Sequence, residues 1–326
     1  MRLVNFAPHF DATPRLGLLV DEFIVDPSGD FARRVLGPLS GTALPATTDD
    51  FIRNPAASES TLKKLGNAAE TELSSGSNGR QDGILPRKSV TLFPPVLRPS
   101  KVMGAGANYW QAPNAEPSSE ARSAGSIRVP GFIKVSSTVI GDGHPVRLPA
   151  GVGRFLHEGE LAVVIGHPGT RIERENSWSH VIGLTIANDV TAVDLLKSEI
   201  GAGGAAAISK NLPTFAPLGP CLATLDEFES LERLRLRIWS SINGELVQDS
   251  FTSYMKLDVP GLVAWWSQVG LEPGDVILTG TPQYQSSGKP LKLPEMESEL
   301  RCLQPGDVVQ CGVERIGMLT SPVVGD

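Results

Sequence analysis

The sequence of 326 residues lacks the features that mark several large classes of protein. Its three cysteines (Cys221, Cys302 and Cys311) have no C-x-x-C spacing, which argues against a disulfide framework and against a structural zinc site. No apolar run approaches the ~20 residues that a membrane-spanning helix needs, and the N-terminal stretch has no apolar signal-peptide core. We therefore expect a protein of the reducing cytoplasm that does not bind a membrane.

Positive charge is also scarce, since 29 Lys and Arg residues face 36 Asp and Glu residues, for a net charge of −7. Without a basic run, the chain is a poor candidate for nucleic-acid binding. It contains no G-x-S-x-G of a serine-hydrolase nucleophile, and its glycine-rich strings lack the G-K-[ST] ending of a phosphate-binding loop. These absences are compatible with a small-molecule substrate.

Turn-forming residues are abundant, with 34 Gly and 26 Pro, and they separate short β-branched segments that predict strands. Helical spacing and capping residues predict three helices, at about 58–73, 190–199 and 258–269. We expect a mostly β fold of the α+β class with few helices. The pattern divides into a small N-terminal α+β domain, residues 1–93, and a larger domain, residues 94–326.

The segment FLHEGELAVVIG places two carboxylates at the head of an apolar strand. Glu158 and Glu160 are two residues apart, so on a strand they share one face, with Cα atoms about 6.6 Å apart. Burying both without a partner would cost several kcal/mol, and a divalent cation, which takes oxygen ligands, would remove that cost. The alternative is a solvated strand end with both side chains in water. His157 should face the opposite side of the strand.

A third carboxylate, Asp189, follows another apolar segment, LTIAND. It stands at a strand-to-helix junction, where it could simply cap the helix that follows. Asp194 lies within that helix and could be a surface charge. Three carboxylates at strand ends suit a Mg²⁺ or Mn²⁺ site, with water or substrate in the remaining positions.

The order and spacing of these motifs resemble the fumarylacetoacetate hydrolase family. That family carries an E-x-E strand and then an N-D segment 29 residues beyond the second Glu, and here Glu160 and Asp189 are 29 residues apart. The resemblance covers about residues 94–323 and implies a mixed β-sandwich or β-roll body. Further matches are the segments KNLPTFAPLGP (210–220), NGELVQ (243–248) and GDVILTGTP (274–282).

The resemblance implies a Mg²⁺ ion, or Mn²⁺ or Ca²⁺ in its place, held by Glu158, Glu160 and Asp189. In the family this ion chelates a 2-oxo acid or β-diketone and stabilises the enolate that forms when a C–C bond breaks or a proton leaves. Lys210 is implied as a catalytic positive charge beside the enolate, although the residues alone suggest an ordinary surface lysine. Substrate-binding roles are implied for four more residues: Tyr109, Lys134, Thr214 and Thr281.

The chain departs from the family in the segment expected to form a lid, about 108–129. The family often has N-Y-x-x-H, whose histidine works with a nearby Glu to activate water. In NYWQAPNAE, Ala112 takes the histidine position and Glu116 remains as the candidate catalytic base. Val193 and Leu196 stand where the family has an Arg and a Gln that bind a substrate carboxylate.

Three functions are compatible with this pattern. The default is hydrolytic C–C cleavage of an acylpyruvate-like or β-diketo acid through a metal-stabilised enolate. A tautomerase, decarboxylase or dehydratase of a 2-oxo acid needs the enolate but no activated water, so the missing histidine favours it as an alternative. A non-catalytic ligand-binding descendant is the third, and the intact carboxylates and Lys210 argue against it. The resemblance also implies a homodimer, for which WSSI (239–242) and AWW (264–266) offer aromatic interface residues. The alternative for Trp265 and Trp266 is that they are core residues of one helix, and we expect this of one of the two.

Overall fold

The computed structural model describes residues 1–8, 13–37, 44–75, 83–110, 129–232, 234–286, 289–290 and 300–326. Within these ranges the α-helices are α1 (Asp30–Leu36), α2 (Thr48–Arg53), α3 (Glu59–Ser74), α4 (Val193–Gly201) and α5 (Val259–Trp266). The strands are β1 (Arg2–Pro8), β2 (Arg15–Val20), β3 (Phe23–Val25), β4 (Ile84–Pro86), β5 (Val90–Phe93), β6 (Val102–Ala105), β7 (Gly131–Lys134), β8 (Val139–Ile140), β9 (Val146–Leu148), β10 (Phe155–Leu156), β11 (Gly159–Ile165), β12 (Val181–Asn188), β13 (Thr191–Ala192), β14 (Ala216–Thr224), β15 (Arg237–Ile242), β16 (Glu245–Phe251), β17 (Val276–Leu278), β18 (Gln285–Ser286), β19 (Lys289–Pro290), β20 (Val308–Val313) and β21 (Gly317–Gly325).

Two sheets organise the described part of the chain. The larger has twelve strands, with β4-β3-β2-β1-β14-β12-β11-β17-β6-β7 in hydrogen-bonded order, while β5 pairs with β1 and β8 pairs with β14. The smaller has the order β16-β15-β20-β21-β9 and packs across β11, β12 and β14. This arrangement confirms the expected mostly β fold with few helices.

Strand β11 separates two apolar cores because its side chains alternate between the two faces of the large sheet. Leu161, Val163 and Ile165 pack in a core that includes the small sheet. Ala162 and Val164 pack in a second core with helices α1, α2 and α3. The molecule therefore has three layers, of helices, large sheet and small sheet, and β11 is buried along its whole length.

The N-terminal strands extend the same sheet as the rest of the chain. Strand β1 runs antiparallel to β14, with Leu3 opposite Leu222, so the predicted boundary at residue 93 does not separate two sheets. The division of the chain into domains 1–93 and 94–326 stays a prediction. None of the described helices is long and apolar enough to cross a membrane.

The three predicted helices are present, with shifted ends. The first is α3, and the second begins only at Val193, because Thr191 and Ala192 pair with β10 as strand β13. The third is α5, whose N-cap Asp258 accepts a hydrogen bond from the Gly261 N–H at 3.1 Å. Trp266 of this helix is buried in the core of its own chain, which removes it from the aromatic residues expected at a dimer interface.

Candidate active site

The site is built at the head of strand β11. Glu158 precedes the strand and Glu160 lies in it, with Gly159 between them, so the alternation that separates the two cores also places the two carboxylates together. Glu160 is 1% exposed and the Glu158 side chain is 19% exposed. The solvated strand end that the sequence left open is therefore excluded for Glu160.

Antiparallel pairing of β11 with β12 brings the third carboxylate to the same place. Gly159 lies opposite Asn188, and the backbone N–H of Asp189 donates to the Glu158 carbonyl at 2.8 Å. One carboxylate oxygen of each of Glu158, Glu160 and Asp189 lies within 4.8 Å of the others. The structure thus assembles the three predicted metal ligands into one cluster.

Two lysines neutralise part of this cluster. The Lys210 ammonium donates to Glu158 at 2.8 Å and also to Asp189, and it lies 4.7 Å from the centre of the Phe132 ring. The Lys134 ammonium donates to the other oxygen of Asp189 at 2.6 Å and to the Val190 carbonyl at 3.2 Å. Both lysines are buried, so the surface position that the residues alone suggested for Lys210 is wrong.

The pKa values follow from this uneven pairing. Burial, together with the charges of Asp189 and Glu158, raises the pKa of Glu160 well above its usual range. Burial opposes ionisation of Asp189 as well, but the two lysine ammonium groups lower the pKa of that carboxyl. Glu160 accepts a hydrogen bond from the Gly280 N–H at 2.6 Å. The charge of Lys210 lowers the pKa of Glu160 by less than burial and the two carboxylates raise it, and this ammonium forms its ion pairs with Glu158 and Asp189 instead. The cluster is therefore short of positive charge at Glu160.

The donor set fits a hard divalent cation. Around an octahedral ion with oxygen ligands at about 2.1 Å, neighbouring ligands are about 3.0 Å apart and opposite ones about 4.2 Å. The three carboxylate oxygens, which all lie within 4.8 Å of one another, would reach these separations with small side-chain movements. A cation would supply the charge that Glu160 lacks.

The predicted substrate-binding residues divide into two groups. Tyr109 and Lys134 lie against the cluster, and burial with the charge of Glu160 raises the pKa of Tyr109, so its phenol stays protonated. Thr281 donates its hydroxyl proton to the Gly159 carbonyl at 3.0 Å. Thr214 accepts from the Arg147 N–H at 2.8 Å, a contact with strand β9. Contact of each with a substrate stays a prediction.

Two other residues are placed as the sequence analysis expected. His157 faces away from the carboxylates, where its Nε2 lies 2.8 Å from the Ser240 hydroxyl. Asp194 forms a two-pronged ion pair with Arg154 at the surface. Ala112 and Glu116, with most of the predicted lid, lie outside the described residues.

Sequence reasoning missed the residues that hold the cluster from outside. Thr191 donates to Glu158 at 3.0 Å, and the Gln248 side chain contacts both Gly159 and Thr281. Gln248 ends the NGELVQ segment, but a motif by itself does not reveal which strand its side chain meets. Phe132 could have been found, because it stands two residues before Lys134 on one strand and so shares its face.

Comparison with known proteins gives consistent results. A family model described as fumarylacetoacetate (FAA) hydrolase C-terminal matches residues 101–324. The chain is 33% identical over 336 residues to the mitochondrial oxaloacetate tautomerase fahd2 of Xenopus laevis, a match that covers 99% of this chain and 90% of that protein.

Solved structures agree over the full length. Fumarylacetoacetate hydrolase from the psychrophile Exiguobacterium antarcticum matches with a TM-score of 0.73 and 27% identity, covering 100% of both chains. Maleylpyruvate hydrolase from a Sphingobium species, in complex with manganese(II) and pyruvate, matches with a TM-score of 0.68 and 26% identity, covering 100% of this chain and 99% of that one.

Proposed function

The chain belongs to the fumarylacetoacetate hydrolase family, and we propose that it is a divalent-metal-dependent tautomerase that interconverts the keto and enol forms of a small 2-oxo dicarboxylic acid such as oxaloacetate. One observation carries the proposal: the buried cluster of three carboxylates and two lysines is complete, while Ala112 occupies the position of the water-activating histidine. The name of the Xenopus relative supports the same reaction.

Glu158, Glu160 and Asp189 would hold the metal ion, with Mg²⁺ or Mn²⁺ fitting their oxygen donors best. When bound, the ion supplies a Lewis acid that stabilises negative charge on the oxygen of a 2-oxo acid. Asp189 stays ionised because Lys134 and Lys210 lower its pKa. The two lysines thereby keep a ligand charged in a site from which water is largely excluded.

Lys210 serves as a fixed positive charge and not as a base. Although burial opposes it, the charges of Asp189 and Glu158 raise the pKa of Lys210, so it keeps its proton. An ammonium group held in this way attracts the negative oxygen of an enolate and needs no reorganisation when that charge develops. Phe132 covers one side of the ammonium and shields it from water.

The absence of a histidine at position 112 favours tautomerisation over hydrolysis. Moving a proton between carbon and oxygen consumes no water, whereas C–C hydrolysis needs a base that activates one. Loss of such a base removes roughly 10²–10⁴-fold from a rate. Hydrolysis of an acylpyruvate-like acid is the second candidate, since Glu116 remains in the sequence and the Sphingobium neighbour is named as a hydrolase.

The test compares two reactions on one preparation. The chelator-treated protein is supplied with Mn²⁺ or Mg²⁺, and the loss of the enol absorbance of oxaloacetate is followed beside pyruvate release from an acylpyruvate. We expect metal-dependent ketonisation and little pyruvate. Glu160→Gln should abolish the reaction and Glu175→Gln, at an exposed position, should not. Rapid pyruvate release from the acylpyruvate without faster ketonisation of oxaloacetate would contradict the proposal. Full ketonisation activity of the chelator-treated protein without added metal would refute the metal assignment.

Assembly and location remain proposals. We propose a homodimer, as implied by the family resemblance, and a cytoplasmic location, although the Xenopus relative is named as mitochondrial.

A further inference from the structure

Behind the metal-ligand strand, three polar groups close a ring of hydrogen bonds around Gly159. The Gly159 N–H donates to Oε1 of Gln248 at 3.2 Å. Nε2 of Gln248 donates to the Thr281 hydroxyl at 2.6 Å, and that hydroxyl donates to the Gly159 carbonyl at 3.0 Å. The backbone N–H and C=O of Gly159, the residue between the two glutamates, are thus both hydrogen-bonded by the side chains of Gln248 and Thr281.

The ring has a defined direction because every proton in it is assigned. Gln248 also donates to the Pro282 carbonyl at 2.7 Å, so both amide protons are used. Its oxygen accepts a second bond, from the Ser240 hydroxyl at 2.6 Å. Since Ser240 spends its proton there, it must accept from Nε2–H of His157. No alternative orientation of the Gln248 amide satisfies these partners.

The space around the ring leaves little freedom. Gln248 and Ser240 are completely buried. A Cβ built on Gly159 would lie 3.3 Å from Ser240 Cβ and from Cys311 Sγ, and 3.4 Å from the Gln248 oxygen. The small sheet therefore packs directly against the Gly159 peptide. Because of this close packing, we expect a shift of Gln248 to displace the backbone that carries both glutamates.

We propose that Gln248 is a positioning residue for the metal site, which sets the spacing of the Glu158 and Glu160 carboxylates by clamping the Gly159 peptide together with Thr281. It touches no reacting atom and acts through the backbone on the opposite face of β11. The inference rests on the metal assignment of the proposed function but not on the reaction. Groups that orient metal ligands from outside typically contribute 10–100-fold to metal affinity.

Mn²⁺ binding to the full-length, chelator-treated protein tests this without substrate, with free Mn²⁺ measured by electron paramagnetic resonance. Gln248→Met keeps the side-chain length but removes all hydrogen bonds, and Thr281→Val removes the hydroxyl. Each should raise the Kd for Mn²⁺ roughly 10–100-fold. The double variant should have a Kd for Mn²⁺ no higher than that of the single variant with the higher Kd, because both substitutions break the same ring. Thr281→Ser restores the hydroxyl and should restore the wild-type Kd.

Thr252→Val is the matched control. Thr252 is a buried residue just after β16, whose hydroxyl accepts from the Leu236 N–H at 2.9 Å and donates to the Leu234 carbonyl at 2.8 Å. This variant should lower the unfolding midpoint and leave the Kd for Mn²⁺ unchanged.

Three outcomes would overturn the inference. In the first, Gln248→Met loses stability like the control but binds Mn²⁺ as tightly as the wild type. In the second, the effects of Gln248→Met and Thr281→Val on the Kd are additive. In the third, Thr281→Val binds Mn²⁺ with the wild-type Kd. This variant also decides the question if Gln248→Met does not fold. Absence of Mn²⁺ binding in the wild type would overturn the metal assignment and this inference together.

Discussion

The Lys134 ammonium lies 2.6 Å from a carboxylate oxygen of Asp189, and both side chains are completely buried. Lys134 stands on edge strand β7 of the large sheet and Asp189 follows β12. Two charges at this depth persist only when each has a partner, because an unpaired buried charge is costly. Asp189 also pairs with Lys210, so one carboxylate joins two segments that are distant in sequence.

Lys134→Met should lower the free energy of unfolding by about 3 kcal/mol in the metal-free protein, because it leaves one Asp189 oxygen buried without its partner. Saturating Mn²⁺ should reduce this loss, since a cation replaces the missing charge. Urea unfolding with and without Mn²⁺ measures both values. The control is Lys63→Met, which removes exposed pairs with Glu59 and Asp226 and should cost less than about 1 kcal/mol. Equal losses in the two variants would contradict the buried-pair argument.

His157 should make the protein less stable in acid. Burial, with a smaller contribution from Arg301, lowers the pKa of His157 to about 4, from 6.5 in the unfolded chain. Between these values the unfolded chain binds the proton and the folded protein does not, so stability is lost as the pH falls from about 6.5 to 4. The shift corresponds to about 3 kcal/mol.

His157→Gln, which can still donate to Ser240, should remove this part of the pH dependence. Urea unfolding at pH 4 and pH 7 gives the comparison, with His167→Gln at an exposed position as the control. Retention of the full wild-type difference in His157→Gln would show that another group is responsible.

Phe132, which covers Lys210, packs where a side chain at residue 104 would lie, so this position requires glycine. A Cβ on Gly104 would lie 2.1 Å from the Phe132 ring, which covers Lys210. Gly104→Ala should therefore displace the ring and destabilise the protein by about 1–3 kcal/mol. Phe132→Ala in the same chain should recover most of the loss caused by Gly104→Ala. Thermal unfolding of the two singles and the double measures this, and purely additive losses would disprove the contact.

Ala112→His tests the lid interpretation. If the missing histidine is what limits hydrolysis, its return should raise kcat/KM for acylpyruvate cleavage, up to the ~10²-fold or more that a positioned base provides. Ala112→Gln, of similar size but without a base, is the control. Efficient cleavage by the unmodified protein that does not depend on Glu116 would show that water is activated elsewhere.

A homodimer is expected in solution. Sedimentation velocity at micromolar concentration should give about twice the 34.7 kDa mass of the chain. A stable monomer under these conditions would contradict the prediction.

Local patterns in the sequence predict much of the fold. Alternation and turn residues indicate the β-rich body, and leucine spacing indicates helix α3. The Asn-Gly pair of NGELVQ forms the turn between β15 and β16, with φ values of 52° and 83° at Asn243 and Gly244, as expected of a two-residue hairpin. The start of α4 was missed because the pairing of β13 with β10 overrides the local helical pattern.

The sequence by itself determined the carboxylates of the site, because Glu158 and Glu160 share a face through the two-residue period of a strand and Asp189 matches a family spacing. Only the tertiary structure decided what surrounds them. The burial of Lys134 and Lys210 and the ring at Gly159 depend on which strands pair and which sheet packs on β11. These contacts join residues 21 to 122 positions apart, for example Lys210 with Asp189 and Thr281 with Gly159, and local periodicity carries no information at that range.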